Sequence, residues 1–539
     1  MKQKLGTLWT GWVISTVLWM AVCRAVAGDR SFPAGENPPG CTLFEQDPEE
    51  FLGRPTQGVS RKMKRQILRW KLKNGAPRLP DLDVTYIERT PRFPKYKVNY
   101  QPRGLNPSLS EREKKVQRWP HEGQAVTFHA HIANKGLSPS PVSDWLVYMD
   151  GTPLPGALGK IPPIAPNEEV VVHAPWLWQP GRHKVTVFVD TEDQVEEITE
   201  KNNRVSNWTD AYTFLWVCHE KLHVAQDCVK NRYGSYSSED WHRSVMQWMN
   251  WSFSECRYPS TPNGIPARVR IDYYTVHPNP KSLYRSHPLW RFHDGCWNHS
   301  PEMGVDSRGK TQGITDSEQE NRARAYAQRN AVFEAFRSGL DWALVHELGH
   351  QLGLIDLYHM SIEPEQCLVR TASGKLLSDV YPQKAQHRGR VSGIMMGTQH
   401  VSLRWSEHSA NALCRDYCRR RGFYGDYLFD LPEQSLVKIV GRDGRPIPGA
   451  EVRVYQREGP VVPNRVKHRG KADENGLFDL GSDPFGNVHI VGLNGVLLFR
   501  VQHPIKRTVD WAWLEIAVFN MAYWYGYQER AVIPLRTYL

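Results

Sequence analysis

Hydrophobic positions change their spacing several times along this chain, and the changes divide it. From about 116 to 215, apolar residues recur at every second position: Val126, Phe128, Ala130 and Ile132 in one run, Val170, Val172, Ala174 and Trp176 in another, Val185, Val187 and Val189 in a third. A period of two sets one side of a segment against a core and the other toward water, as in half-buried strands. Asn134-Lys135-Gly136, Asp150-Gly151 and Pro180-Gly181 punctuate the runs, so a β-sandwich of about 100 residues is expected here. Strand-like runs return between 431 and 539, at Leu436 to Val440, Ala450 to Val454 and Leu477 to Leu480.

The pattern from 216 to 430 is mixed. Ser237-Ser238-Glu239-Asp240 signals a helix start, and Trp241, Val245, Trp248 and Met249 behind it form one apolar helical face. A strand is expected from Arg268 to Val276, and helices from Glu318 to Phe336 and from Ser406 to Arg421, the last stopped by Gly422. Leu344, Leu348 and Leu352 recur every fourth residue, a stripe that packs into a core while the opposite face fronts a cleft. Residues 28–115 are rich in proline, glycine and charge with little sustained period, and read as an irregular leader or prodomain.

At 539 residues the chain exceeds one hydrophobic core, and roughly three or four domains are expected. Residues 1–27 carry Lys2 and Lys4, an apolar run from Leu5 to Cys23 and the Ala25-Val26-Ala27 sequence that signal peptidases favour. This is an export signal, an uncleaved anchor being the alternative, and it implies a secreted or extracellular protein, with periplasm or cell surface left open. No later stretch is long and apolar enough to span a bilayer. Of nine cysteines, Cys23 leaves with the signal; Cys41, Cys218, Cys228, Cys256, Cys296, Cys367, Cys414 and Cys418 remain, and an oxidising compartment permits up to four disulfides, some free thiols being the alternative. The net charge of +11 is a mild excess, part of it in the basic segment from Arg61 to Lys73. That segment carries Ile67, Leu68, Trp70 and Leu72 as well, and reads as a solvated helix or linker, with a membrane-surface or polyanion contact as the other meaning. No phosphate loop, internal repeat or nucleic-acid motif stands out.

The chemistry concentrates in His346-Glu347-Leu348-Gly349-His350-Gln351-Leu352-Gly353-Leu354-Ile355-Asp356 and, downstream, Ser392-Gly393-Ile394-Met395-Met396-Gly397. On a helix His346 and His350 lie one turn apart and can share a metal, with Glu347 beside them to take a proton from a metal-bound water. Two histidines leave a zinc ion short of a third protein ligand. Gly353 can adopt the left-handed conformation that ends a helix, which would turn the chain back and bring Asp356 to the metal. His359, or Glu363 and Glu365 at a looser spacing, are the other candidates for third ligand.

The stretch resembles the HExxHxxGxxD metalloproteases, the metzincins with aspartate in the usual histidine place, including the immune-inhibitor-A-like secreted proteases. The resemblance covers roughly 60 residues and implies an α+β metzincin-like catalytic domain at 216–430, Zn2+ as cofactor, and Met395 as the methionine turn beneath the ligands, with Met396 the adjacent candidate. The tyrosine that follows this turn in some metzincins is absent, since Gly397 and Thr398 stand there. Ile132-Ala133-Asn134-Lys135-Gly136, Gly181-Arg182-His183-Lys184-Val185 and Val189-Asp190 through Glu197 to Asn202-Asn203 resemble a CARDB module, the immunoglobulin-like domain of adhesion-related proteins. Gly444 to Val454 and Ala472 to Leu480 resemble the carboxypeptidase-regulatory, prealbumin-like sandwich. The expected protein is therefore multidomain: signal peptide 1–27, leader 28–115, CARDB-like sandwich 116–215, catalytic domain 216–430 and a second all-β sandwich 431–539.

Such a chain would be a secreted zinc-dependent endopeptidase, its partners a protein or peptide substrate and a cell-surface or matrix ligand for the sandwiches. Its rival is a noncatalytic adhesion protein with a structural or degenerate metal site. Smaller features have plainer readings. Cys41 as a latency switch on the zinc is set against a disulfide, Asp473 and Asn475 as a calcium site against a tight turn at Gly476, and Asn202-Asn203 as a binding pair against strand-end hydrogen bonding. Asn207, Asn250 and Asn298 stand in glycan-acceptor triplets that fit coincidence in a chain of bacterial look.

Overall fold

The computed structural model describes residues 59–94, 115–231, 233–278, 287–299, 342–357, 369–370, 386–388, 393–396, 404–415, 425–458, 462–488, 492 and 494–539. The signal, Cys41, Cys367, Cys418, the helix expected at 318–336, His359, Glu363, Glu365, Gly397, Thr398 and the basic end at Arg419 to Arg421 lie outside these residues.

The protein is multidomain and mostly β, with few helices. Its elements begin with helix α1 (Arg61–Lys73) and strands β1 (Leu82–Thr90), β2 (Ala125–Asn134), β3 (Ser143–Met149), β4 (Thr152–Ile161), β5 (Glu169–Leu177), β6 (Lys184–Val189) and β7 (Arg204–Trp208). The strands form two antiparallel sheets, β1-β2-β5 and β4-β3-β6-β7, which enclose a core of Val126, Phe128, Ala130 and Ile132 from one side and Val147, Val185, Val187 and Val189 from the other. The alternating residues point inward because the two sheets pack face to face over this core.

Arg61–Lys73 is a helix, one of the two readings of the basic segment, while the leader departs from expectation at Leu82–Thr90, where it is a regular strand. Strand β1 completes the first sheet, pairing along β2 from Leu82 opposite Asn134 to Thr90 opposite Thr127. Two features hid it. A bulge between Val84 and Tyr86 breaks the period of two, and both faces are buried, so that Asp83 and Glu88 meet Arg243 and His131 instead of water.

Next come β8 (Tyr212–His219), α2 (Glu220–Asp227), α3 (Ser238–Glu255), β9 (Val269–His277), β10 (Gly295–His299) and α4 (Trp342–Gln351). Ser237 caps α3 by accepting from the Asp240 amide at 3.1 Å, and Val245, Trp248 and Met249 are buried with Trp241 packed at the margin. The sheet β10-β8-β9 is wholly parallel, and β8 is buried on both faces, which is why it shows no alternation.

The remaining elements are β11 (Val369–Arg370), β12 (Gln386–Arg388), α5 (Glu407–Arg415), β13 (Gln434–Val440), β14 (Glu451–Gln456), β15 (Val462–Pro463), β16 (Val466–Lys471), β17 (Leu477–Asp479), β18 (Val496–Gln502), β19 (Val509–Glu515), α6 (Ile516–Trp524) and β20 (Arg530–Arg536). Sheet β12-β19-β18-β14-β16 faces the smaller sheet β17-β13-β20, while β11 pairs with β15. Helix α6 was not foreseen in this β region: a short continuous apolar run fits a buried strand and a buried helix equally. One apolar cluster runs from Val245 and Trp248 through Leu344 and Leu348 to Leu497, Phe499 and Ile533, so the C-terminal sheets share a core with the middle of the chain.

Of the two readings of the cysteines, the described residues favour free thiols over disulfides. Cys218, Cys228, Cys256 and Cys414 are free thiols, and no disulfide joins described residues. Cys218, Cys228 and Cys256 pack as small apolar side chains in the large cluster, and burial pushes the Cys218 thiol up to about 12. No helix among the described residues is long and apolar enough to cross a membrane.

Candidate metal centre

Helix α4 divides its residues between core and cleft as the spacing predicts. Leu344, Val345, Leu348 and Leu352 are buried, while Glu347 and His350 are only half-buried. Gly349 faces inward at the tightest point: a Cβ there would stand 2.6 Å from Met395 Sδ and 3.2 Å from the Trp405 ring. Only glycine lets the helix approach so closely, and the fully buried Met395 therefore lies directly beneath the histidine turn. Met395 sits in a 3-10 turn, Ile394–Met396.

The helix ends where expected. Gly353 has φ +99°, and the Leu354 amide donates back to the Gly349 carbonyl at 3.1 Å, closing a left-handed cap. The reversal carries Asp356 to the histidines, its Oδ1 lying 2.9 Å from His346 Nε2 and 3.1 Å from His350 Nε2. Each ring is oriented from behind by a carbonyl: His346 Nδ1 donates to Ile394 O at 2.9 Å and His350 Nδ1 to Leu354 O at 2.8 Å. A carbonyl can only accept, so both Nε2 atoms are turned toward Asp356.

Glu347 completes the cluster. Ligand-capable atoms of His346, Glu347 and His350 all lie within 4.8 Å of one another. Burial raises the Glu347 pKa above the ordinary carboxylate range, opposed by the two imidazoles. Burial works against a charged His350, but the hydrogen bond and charge of Asp356 outweigh it and raise the ring to about 9. Two imidazoles and a carboxylate, each imidazole backed by a carbonyl, form a donor set that could hold a divalent metal. Ligands about 2.0–2.1 Å from a tetrahedral ion lie about 3.3 Å apart, so the set need open by only a few tenths of an ångström.

Several supporting residues gave no sequence signal. Tyr427 Oη accepts the Ile355 amide at 2.9 Å, and the Gly425 amide donates to the Gly353 carbonyl at 3.0 Å, so the turn before Asp356 is held by residues 425–427. That segment is gripped in turn by Asn520 of α6, whose Nδ2 donates to the carbonyls of Leu428 at 3.0 Å and Asp430 at 2.9 Å. The methionine turn is fastened by the Ile394 amide to the Arg404 carbonyl at 2.9 Å, and Gly393 is needed because a Cβ would stand 2.8 Å from the Ser406 nitrogen.

The minor candidates resolve simply. Asp473 Oδ1 accepts the amides of Asn475 and Leu477 across a turn in which Gly476 has φ +74°, and Asn202 and Asn203 bond to Asp81, Glu197 and Glu200 at strand ends. The Asn250 amide is bonded in both directions to the Val269 backbone of β9. Two other groups could hold an ion by distance. In the group His223, Asp227 and Glu239 the two carboxylates already meet the Lys135 ammonium, 2.6 Å from Glu239 and 3.7 Å from Asp227, and Asp190, Glu197 and Glu200 border the loop after β6.

Residues 106–207 match the CARDB family and form a CARDB domain. Among solved structures, the chain is similar to the CARDB domain of a Pyrococcus furiosus protein, described in complex with di-metal ions, at 21% identity over 24% of this chain and 86% of that one, TM-score 0.17. A Methanosarcina acetivorans domain described as belonging to a cell surface protein matches at 19% identity over 24% and 90%, TM-score 0.16. A Bacteroides uniformis β-glucuronidase aligns over 84% of this chain and 61% of its own at 10% identity, and its TM-score of 0.18 carries no argument about fold or activity. No curated protein matches this chain.

Proposed function

We propose that the chain is an exported zinc-dependent endopeptidase with Glu347 as general base. The observation that carries the reading is the meeting of His346 Nε2 and His350 Nε2 at Asp356 Oδ1, 2.9 and 3.1 Å away. Zinc held by such a set supplies Lewis acidity toward a carbonyl and a nucleophilic water at neutral pH. Asp356 and the two imidazoles bind, and the Ile394 and Leu354 carbonyls keep the rings turned inward. Glu347 takes up a proton beside the ligands and delivers it to the leaving amine, a role that suits a half-buried carboxylate next to the two imidazoles.

In this reading the middle of the chain is a metzincin-like catalytic domain with Met395 as its methionine turn, and the C-terminal sheets are a carboxypeptidase-regulatory-like module. The CARDB domain supports work outside the cytosol, near a surface or matrix ligand. It equally suits the rival, a noncatalytic adhesion protein, and Glu347 separates the two, since a structural site has no use for a further carboxylate poised beside its ligands. The test is Glu347→Ala: the purified variant should keep its metal while hydrolysis of a denatured protein falls by about a hundredfold or more. Equal turnover by the variant rejects the assigned mechanism.

A further inference from the structure

Helix α1 rests on the body through one stripe only, Met63, Ile67 and Lys71, spaced four residues apart. Lys71 is spent inside, donating to the carbonyls of Lys135 at 2.6 Å and Tyr236 at 3.2 Å, and Lys64 pairs with Glu168 at 2.7 Å. The other five cations of the helix, Arg61, Lys62, Arg65, Arg69 and Lys73, are exposed and make no ion pair among the described residues. At 100° per residue these five fall within an arc of about 120° centred opposite the buried stripe. No acidic residue occurs from Val59 to Pro80 to offset them.

Two large apolar side chains accompany this charge. Leu72 is 46% exposed and lies by angle inside the cationic arc; Trp70, 46% exposed, lies about 60° beyond the arc's edge, with Lys73 Nζ 5.5 Å from its ring centroid. A helix face needed only for solubility would carry acids as well as bases and would not expose leucine and tryptophan among them. A soluble polyanion would reward the charges but not the leucine. Cations whose stems flank an indole and an isobutyl group fit the boundary between phosphate headgroups and acyl chains.

We propose that the outer face of α1 docks the protein on an anionic phospholipid surface, Arg61, Lys62, Arg65, Arg69 and Lys73 meeting the headgroups and Leu72 and Trp70 entering the interface. The site lies on the helix before the CARDB domain and is independent of the metal centre. The full chain should sediment with vesicles of an equal mixture of phosphatidylcholine and phosphatidylserine, remain in solution with phosphatidylcholine alone, and lose binding as salt rises. Arg65→Glu with Arg69→Glu should lower the partition coefficient by about tenfold or more, and Leu72→Ser by about fivefold. A second pair, Lys62→Glu with Lys73→Glu, should reproduce the loss, with circular dichroism melting matching that of the parent. Binding that ignores both charge reversals, or that is equal on the two vesicles, overturns the proposal. A chain that leaves both vesicles in solution but is retained by an immobilised sulfated polysaccharide overturns the lipid assignment in favour of a polyanion.

Discussion

The Tyr427 hydroxyl stands 2.9 Å from the backbone nitrogen of Ile355 and accepts its hydrogen, fixing the residue immediately before Asp356 across a sequence separation of 72. Tyr427→Phe keeps the ring's packing and removes only this bond, leaving a buried N–H without its acceptor at a cost of about 1–3 kcal/mol. Metal affinity, measured by competition with a chelator, should fall by about tenfold because the carboxylate is no longer held in register. Asn520→Leu, which releases the carbonyls of Leu428 and Asp430, should weaken the metal in the same direction.

Gly349 and Met395 compete for one space. Gly349→Ala places a Cβ 2.6 Å from Met395 Sδ and should destabilise by about 1–3 kcal/mol in urea melts. In a Met395→Ala background the same change should cost much less, since the crowding atom is gone. Additive effects in the double mutant would show that the two residues do not touch.

His131 should give the CARDB domain a pH-dependent stability. The ring is fully buried, which opposes charge, but Glu169 at 2.6 Å and Glu88 at 3.0 Å raise its pKa to about 9. Because the folded value exceeds the unfolded one of about 6.5, the contribution is full below that value and is lost as pH rises through about 9. The stability gap between the parent and His131→Gln should shrink by about 3 kcal/mol between pH 6 and pH 10, roughly the worth of that shift. A gap independent of pH would place a neutral ring at this site.

The thiols offer a chemical check on the two readings of the cysteines. All four of Cys218, Cys228, Cys256 and Cys414 should react with a thiol reagent without prior reduction, the buried Cys218, Cys228 and Cys256 only after denaturation and the half-buried Cys414 more readily. Recovery of those four only after reduction would mean disulfides.

What the sequence made legible follows from the physics of each element. Strands β2, β5 and β6 showed themselves because one face is dry and the other wet, and α3 because Ser237 must cap it. The convergence of His346, His350 and Asp356 was readable because it depends on local geometry, one helical turn and the reversal at Gly353. Strand β1 was not, since a bulge and two buried faces remove any period, and buried ion partners make its polar residues look like those of a loop. Tyr427 and Asn520 were silent for another reason: their partners lie far along the chain, and a tyrosine or asparagine in a turn or apolar helix carries no mark of a distant backbone group.

Metal content of the purified chain tests the central claim most directly. The parent should carry about one zinc per molecule, and Asp356→Ala should lose it while His359→Ala retains it. Stoichiometric zinc in Asp356→Ala, or none in the parent, would contradict a centre built from His346, His350 and Asp356.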